Sequence, residues 1–264
     1  MENKEFPDSA EEKSDSFDAA FEKRLFDAMA EFAAGVGHEL NNPLAVIRGH
    51  AQMLLHDETH PDRRHSLTSI IEQTRLAYEM IVSVRAFARP PELDFCEISA
   101  LKFFDEWTER EKNRREAVNI AFFIEASESL KDCSFTSDEA ALATILDSFG
   151  KNAADALRFK ALERRLAGGG DETPIGSVRL FATLDESAEP RLIFGIEDDG
   201  AGITPESRAL AFSPFYSGRQ AGRGLGVGLS RARRLADKLG ARLLCEDAKT
   251  FPTGCRWSLE LSLN

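Results

Sequence analysis

From Phe17 onward, apolar residues recur at steps of three and four: Phe17, Phe21, Leu25, Ala28, Met29, Phe32, Val36, Leu40, Leu44, Ile47, Ala51 and Leu54. Held over such a length, this rhythm predicts one long amphipathic helix reaching about His56. The polar segment from Asp57 to Asp62 breaks it. A second run through Leu67, Ile70, Ile71, Thr74, Ala77, Tyr78, Ile81, Val84 and Phe87 predicts another helix, which the tandem prolines after Arg89 end. Two long helices with a short turn between them form an antiparallel hairpin. One hairpin has more apolar positions than it can bury against itself, so a dimeric four-helix bundle is expected. Docking of the hairpin onto the following domain is the alternative.

Ahead of the hairpin, residues 1–16 are acidic and polar and read as a disordered lead-in. The hairpin then occupies 17–89, a stiff Pro-containing linker 90–94, and a second domain 95–264. In the second domain the pattern predicts helices over 99–115, 138–166 and 225–239, the middle one closed by Gly168-Gly169-Gly170. Strand-like stretches fall at 118–125, 177–184, 191–197, 241–246 and 255–261. Strands and helices mixed without strict alternation indicate a layered α+β domain.

The 264 residues are 42% hydrophobic and 30% charged, which suits globular domains with real cores. A net charge of −12, with no Lys/Arg-rich block, argues against duplex nucleic acid and anionic membrane surfaces as partners. It leaves room for a nucleotide in a local pocket. Cys96, Cys133, Cys245 and Cys255 are scattered without a C-x-x-C pair, as expected of thiols in a reducing compartment. No stretch reaches the roughly 18 apolar residues of a membrane span, and Met1-Glu2-Asn3-Lys4-Glu5 is too acidic for a signal peptide. A cytoplasmic location without membrane contact is therefore expected.

Candidate chemistry begins at Gly37-His38-Glu39-Leu40-Asn41-Asn42-Pro43-Leu44 on the first helix. His38 and Asn42 stand at i and i+4, and Glu39 and Asn42 at i and i+3, so the three can converge at one surface. Pro43 has no N–H for the carbonyl of Glu39, which predicts a kink just past the histidine. In the second domain, Lys151-Asn152-Ala153-Ala154-Asp155-Ala156 puts a carboxamide on a helix wall, an oxygen donor of the kind Mg²⁺ accepts. Glu197-Asp198-Asp199-Gly200-Ala201-Gly202 follows a strand, where a carboxylate can accept a hydrogen bond from an exocyclic amine and glycines let backbone pass close to a ring. Gly222-Arg223-Gly224-Leu225-Gly226-Val227-Gly228 opens a helix, whose free N–H groups suit phosphate oxygens.

These last three, in this order, resemble the ATP-binding domain of the GHKL ATPase superfamily. With the His38–Leu44 helix upstream, the whole resembles a sensor histidine kinase of a two-component system, and Phe212-Ser213-Pro214-Phe215-Tyr216-Ser217-Gly218-Arg219 is similar to that family's F-box at the start of the ATP lid. The resemblance covers Phe17 to the C-terminus and implies a helical dimerisation and phosphoacceptor domain followed by an α/β-sandwich catalytic domain. It implies that ATP phosphorylates His38, that Glu39 fixes the imidazole tautomer and takes its proton, and that Asn42 orients water for dephosphorylating a partner. Asn152 would hold Mg²⁺, with Asp155 beside it on the same helix. Asp198 would read the adenine amine, Gly200 and Gly202 would shape its pocket, and Gly224, Leu225, Gly226 and Gly228 would cradle phosphate. Phe215 would lie at the lid, where Arg219 or Arg223 would neutralise charge on the transferring group. The implied partners are a second copy and the receiver domain of a response regulator; a separate sensor protein is a further expected partner.

Three positions depart from the family pattern. Ser148 stands where a second Asn is usual, Gly150 where Leu or Ile is usual, and Asp199 where Asn is common. A helix-interior glycine is expected to cost about 0.5–1 kcal/mol relative to Ala. Two other readings stay open at this point: a GHKL ATPase of the gyrase, chaperone or mismatch-repair kind, and a dimeric signalling scaffold with a degenerate kinase domain. The His-Glu-x-x-Asn-Pro helix discriminates against the first.

Overall fold

A computed structural model describes residues 28, 31, 35, 37, 39–170, 174–187, 189–216 and 226–263. The chain divides into two compact units, Met1–Pro91 and Glu92–Asn264.

In the first unit, helix α1 runs without interruption over 39–57, and α2 spans Pro61–Ala88. The helix continues across Pro43, so the proline removes one intrahelical hydrogen bond without ending the element. The turn between the helices is built on Glu58. Its carboxylate accepts from the N–H groups of Thr59 at 2.9 Å and His60 at 2.8 Å, and pairs with Arg63 at 2.9 Å. Arg64 donates to the carbonyls of Leu55 at 3.2 Å and Glu58 at 2.6 Å, covering the end of α1. Pro61 then opens α2 at a position where its missing N–H costs nothing. The two helices come close at Gly37, where an added Cβ would lie 2.9 Å from the Ile81 side chain. An apolar stripe stays open: Leu40, Ile47 and Leu54 are exposed on α1 at seven-residue spacing, and Ile70, Tyr78 and Val82 are exposed on α2. No helix among the described residues is long and apolar enough to cross a membrane.

The second unit holds a short antiparallel pair, β1 (Cys96–Ser99) with β3 (Ser134–Ser137), and a five-stranded sheet. Its strands are β2 (Ala121–Ala126), β4 (Ser177–Asp185), β5 (Arg191–Asp198), β6 (Arg242–Asp247) and β7 (Cys255–Ser262), in the order β2-β4-β5-β7-β6. β2 is parallel to β4, and the other pairings are antiparallel. Helices α3 (Ala100–Arg115), α4 (Glu139–Leu166) and α6 (Gly228–Leu239) contribute to one core with the sheet. Register puts Leu180, Ile196 and Trp257 in one cross-strand row and Ala182, Phe194, Leu259 and Leu243 in the next, all buried. Phe149 of α4 stacks on Trp257 at 6.0 Å, and Phe104 of α3 on Phe194 at 6.2 Å.

The other face of the sheet is sealed by charge. Phe181 lies over Gly195, where a Cβ would meet its ring at 2.2 Å. The guanidiniums of Arg256 and Arg179 cover that ring at 4.0 and 5.0 Å from its centroid. Both arginines belong to a ladder of alternating sign across all five strands: Glu125–Arg179 at 2.7 Å, Arg179–Glu197 at 3.3 Å, Arg256–Glu197 at 3.6 Å and Arg256–Glu246 at 3.8 Å.

Differences from the sequence reading have local causes. The strand expected from residue 118 starts at Ala121, because Glu116–Val118 forms a 3₁₀ turn ended by Asn119 at φ 56°. The helix expected from Leu225 starts at Gly228, since Gly226 takes φ +67°. Strands β1 and β3 and helix α5 (Pro205–Leu210) are too short for a periodic signal. Gly150 has a structural reason. An added Cβ would sit 2.3 Å from a carboxylate oxygen of Glu111, which is buried under α4 and held by Arg115 at 2.8 Å and Arg114 at 3.2 Å. Arg114 reaches Asp147 of α4 at 2.9 Å, and the Trp107 indole donates to the same carboxylate at 3.1 Å. Burial pushes the Glu111 carboxyl above its ordinary range against the pull of Arg115 and Arg114.

Gly150→Ala is therefore expected to destabilise the chain by about 1–3 kcal/mol in denaturant unfolding. In a Glu111→Ala background the same change should become neutral or stabilising, by up to about 0.5–1 kcal/mol from helix propensity.

Candidate active site

The site is organised by the end of β5. Successive strand side chains alternate faces, so Glu197 and Asp198 point to opposite sides of the sheet. Asp198, buried, accepts the N–H of Gly200 at 2.9 Å. The turn that follows is pressed between two walls. On the α4 side, a Cβ at Gly200 would lie 2.6 Å from Asp198 Oδ1 and 2.8 Å from Ala156 Cβ. Lys160 of α4 donates to the Asp199 carbonyl, and the Asp199 N–H to Ser177 O at 3.1 Å. On the other side stands the β6–β7 loop, residues 248–254. Gly254, at φ +122°, packs so tightly that a Cβ would fall 1.7 Å from the Asp198 carbonyl oxygen. Gly202, at φ +80°, faces Gly254. Backbone this close can be formed only by glycine.

Asn152 and Asp155 lie half-buried on α4, at i−4 and i−1 to Ala156, the residue facing Gly200. Arg158 pairs with Asp155 at 3.5 Å. The Ser148 hydroxyl is turned back to donate to the Thr144 carbonyl at 2.9 Å. Among the described residues no cluster of three acidic, His or Cys side chains could hold a metal. Asn152 as a single oxygen donor instead fits Mg²⁺, which keeps several waters and binds substrate phosphates.

Phe215 is half exposed at φ 60°, and the Tyr216 hydroxyl donates to Ser207 Oγ at 2.9 Å. Gly226 abuts the Tyr216 carbonyl, where a Cβ would be 2.4 Å away. Gly228 opens α6 with free space around it, and no side chain caps that helix start. Arg219, Arg223, Gly224 and Leu225 lie outside the described residues, and so does His38. Gly37 and Glu39 are helical, and Glu39 and Asn42 are exposed on α1, three residues apart. Among the described residues, the buried Asn41 carboxamide oxygen has no hydrogen-bond partner.

Sequence reasoning overlooked Lys160, Gly254 and Glu197. Nothing in a single helix lysine or a hairpin-loop glycine signals its contact across the fold. Glu197 was visible only as the neighbour of Asp198.

A profile of the "His Kinase A (phospho-acceptor) domain" matches residues 28–92, and one of the "Histidine kinase-, DNA gyrase B-, and HSP90-like ATPase" matches 137–264. The chain belongs to the sensor histidine kinases of two-component systems. Among relatives of this histidine kinase is the C4-dicarboxylate transport sensor protein DctB of Pseudomonas aeruginosa, 27% identical over 219 residues, which cover 82% of this chain and 33% of DctB. The chain thus spans about a third of that relative's length. The same fold occurs in full-length ShkA, solved in complex with AMPPNP, with TM-score 0.66 and 23% identity over 87% of this chain and 45% of that one. It also occurs in the histidine kinase ThkA, solved in complex with the response regulator TrrA, with TM-score 0.62 and 17% identity over 94% of this chain and 66% of that one.

In this kinase domain the Glu197 carboxyl is pushed up by burial, but the N–H groups of Thr250 and Lys249 and the charge of Arg179 outweigh that and hold it below its ordinary value. A depressed carboxyl stabilises the fold above its unfolded value, near 4.5, and that contribution fades as pH falls through the lower folded value. Glu197→Gln is expected to lower the thermal midpoint at neutral pH, with the gap to wild type narrowing below about pH 4.5.

Proposed function

We propose that this chain is an ATP-dependent protein-histidine kinase that phosphorylates itself on His38 and passes the phosphoryl group to an aspartate of a response regulator's receiver domain. The observation that carries the reading is the Asp198–Gly202 turn. It sets the buried Asp198 carboxylate beside a turn packed so closely on Ala156 that no side chain fits at Gly200, next to the α4 face that bears Asn152 and Asp155. A flat, amine-bearing ring laid along that turn would give its exocyclic amine to Asp198. Asn152 would carry Mg²⁺, which when bound neutralises charge on the phosphate oxygens. The open start of α6 at Gly228 supplies N–H groups for phosphate, with Gly224, Leu225 and Gly226 ahead of it.

On the hairpin, the neutral His38 imidazole attacks the γ-phosphorus. A nitrogen–phosphorus bond forms, the bond to ADP breaks, and the proton of the ring goes to Glu39. Asn42, exposed one turn beyond, orients water for the reverse task of dephosphorylating the regulator. Arg219 or Arg223 meets the charge of the transferring group. The exposed stripe of Leu40, Ile47 and Leu54 supports a homodimer through a four-helix bundle. Four free cysteines fit a cytoplasmic, reducing setting, and the acidic charge a role without nucleic acid or membrane surface. The scaffold reading loses weight because Gly150, one of its two supports, accommodates Glu111.

Labelling with γ-labelled ATP is expected to give acid-labile, base-stable protein phosphate that His38→Gln abolishes; label persisting in that variant would reject the assignment. Asp198→Asn replaces an acceptor oxygen by a donor and should weaken ATP binding by about 10- to 100-fold, from the loss of a hydrogen bond to a charged group. Calorimetry on the full chain measures it.

A further inference from the structure

The carboxylate next to Asp198 has no part in the proposed chemistry, yet it is the most enclosed charge in the domain. Glu197 has no exposed surface. One of its oxygens accepts the N–H groups of both Lys249, at 2.7 Å, and Thr250. The other faces Arg179 at 3.3 Å and Arg256 at 3.6 Å. Both amides belong to the β6–β7 loop, and the far end of that loop is Gly254, wedged against the Asp198 carbonyl oxygen and facing Gly202. The Ala248 N–H closes the loop onto Gly254 O at 3.2 Å, so a pull at Lys249 and Thr250 is transmitted to Gly254 through a short, bonded path.

We infer that Glu197 is a positioning residue for the nucleotide: by clamping loop 248–254 from the outer face of the sheet, it presses Gly254 against the Asp198 backbone and fixes the aim of the Asp198 carboxylate on the inner face. The inference rests on the reading of Asp198 as the adenine contact. The geometry is a lever across one strand. Two charge-assisted amide bonds hold one arm, and the turn carrying Asp198, Gly200 and Gly202 is the other. Arg179 and Arg256 make the ionised form of Glu197 tolerable in a buried place, but they do not touch the loop's amides.

The clamp makes a distinction that mere stability does not. Glu197→Ala frees the loop amides, whereas Arg179→Met weakens the same ion ladder and leaves those amides bonded. In the full chain, Glu197→Ala should raise KM for Mg·ATP in autophosphorylation about tenfold with kcat changed less than about twofold, because aim in the bound state is lost before chemistry is. Hydrogen exchange of residues 248–254 should accelerate in the same variant. Glu197→Gln keeps an acceptor for the amides and should restore KM to within about threefold of wild type. Arg179→Met should lower the thermal midpoint with KM and loop exchange unchanged. If Glu197→Ala leaves KM at the wild-type value, or if Arg179→Met raises KM in proportion to its loss of stability, the positioning role is overturned. Asp198→Asn is run alongside: if it too leaves KM unchanged, the adenine reading fails and the inference falls with it, whereas a raised KM there with a normal Glu197→Ala rejects the inference alone.

Discussion

Two adjacent carboxylates at the end of β5 lie on opposite faces of a sheet, and the domain is arranged to let both exist. Glu197 is stripped of water and would be intolerable alone. Two arginines and two backbone amides make its ionised form the stable one. Asp198, one residue on, gives one oxygen to its own turn and faces the helix layer. Because the pair is held from behind by the ladder and from the side by Gly254, the turn that follows needs no side chains of its own. Glycine occupies positions 200 and 254 because a Cβ there would meet Ala156, the carboxylate or backbone, and position 202 because its φ is +80°.

The same economy runs through the rest of the sheet. Its inner face is packed with aromatics in register, with Phe149 on Trp257 and Phe104 on Phe194. Its outer face seats the ring of Phe181 in the gap left by Gly195 and roofs it with guanidiniums. Glu111 and Gly150 repeat the pattern between α3 and α4, where a missing side chain on one helix admits a carboxylate from the next.

The long elements were legible because their periods are long. The sequence pattern placed the end of the first hairpin helix, the end of the second, α3 and α4 to within a residue or two, and placed all five strands of the sheet, β2 starting three residues late. The expected lead-in 1–16 and helix start at Phe17 lie outside the described residues. What could not be read was whatever depends on contacts far apart in sequence. Gly150 read as a flaw because its partner Glu111 lies 39 positions earlier. Gly254 carried no signal because its reason is the Asp198 carbonyl. The start of α6 was misjudged by three residues because Gly226 takes a left-handed conformation that its neighbours do not announce. The site motifs were legible as types of residue in order, and the buttress behind them was not.

In the proposed function the link between the two units is chemical: the imidazole of His38 would take the phosphoryl group of an ATP held by the second unit. The most direct test is to locate the phosphate. The full chain is incubated with Mg·ATP at neutral pH and digested without acid, and the modified peptide is sequenced by a fragmentation method that spares the phosphoramidate. The account requires phosphate on the imidazole of His38 and on no other side chain. Phosphate found elsewhere, or steady release of free phosphate with no modified peptide, would contradict it.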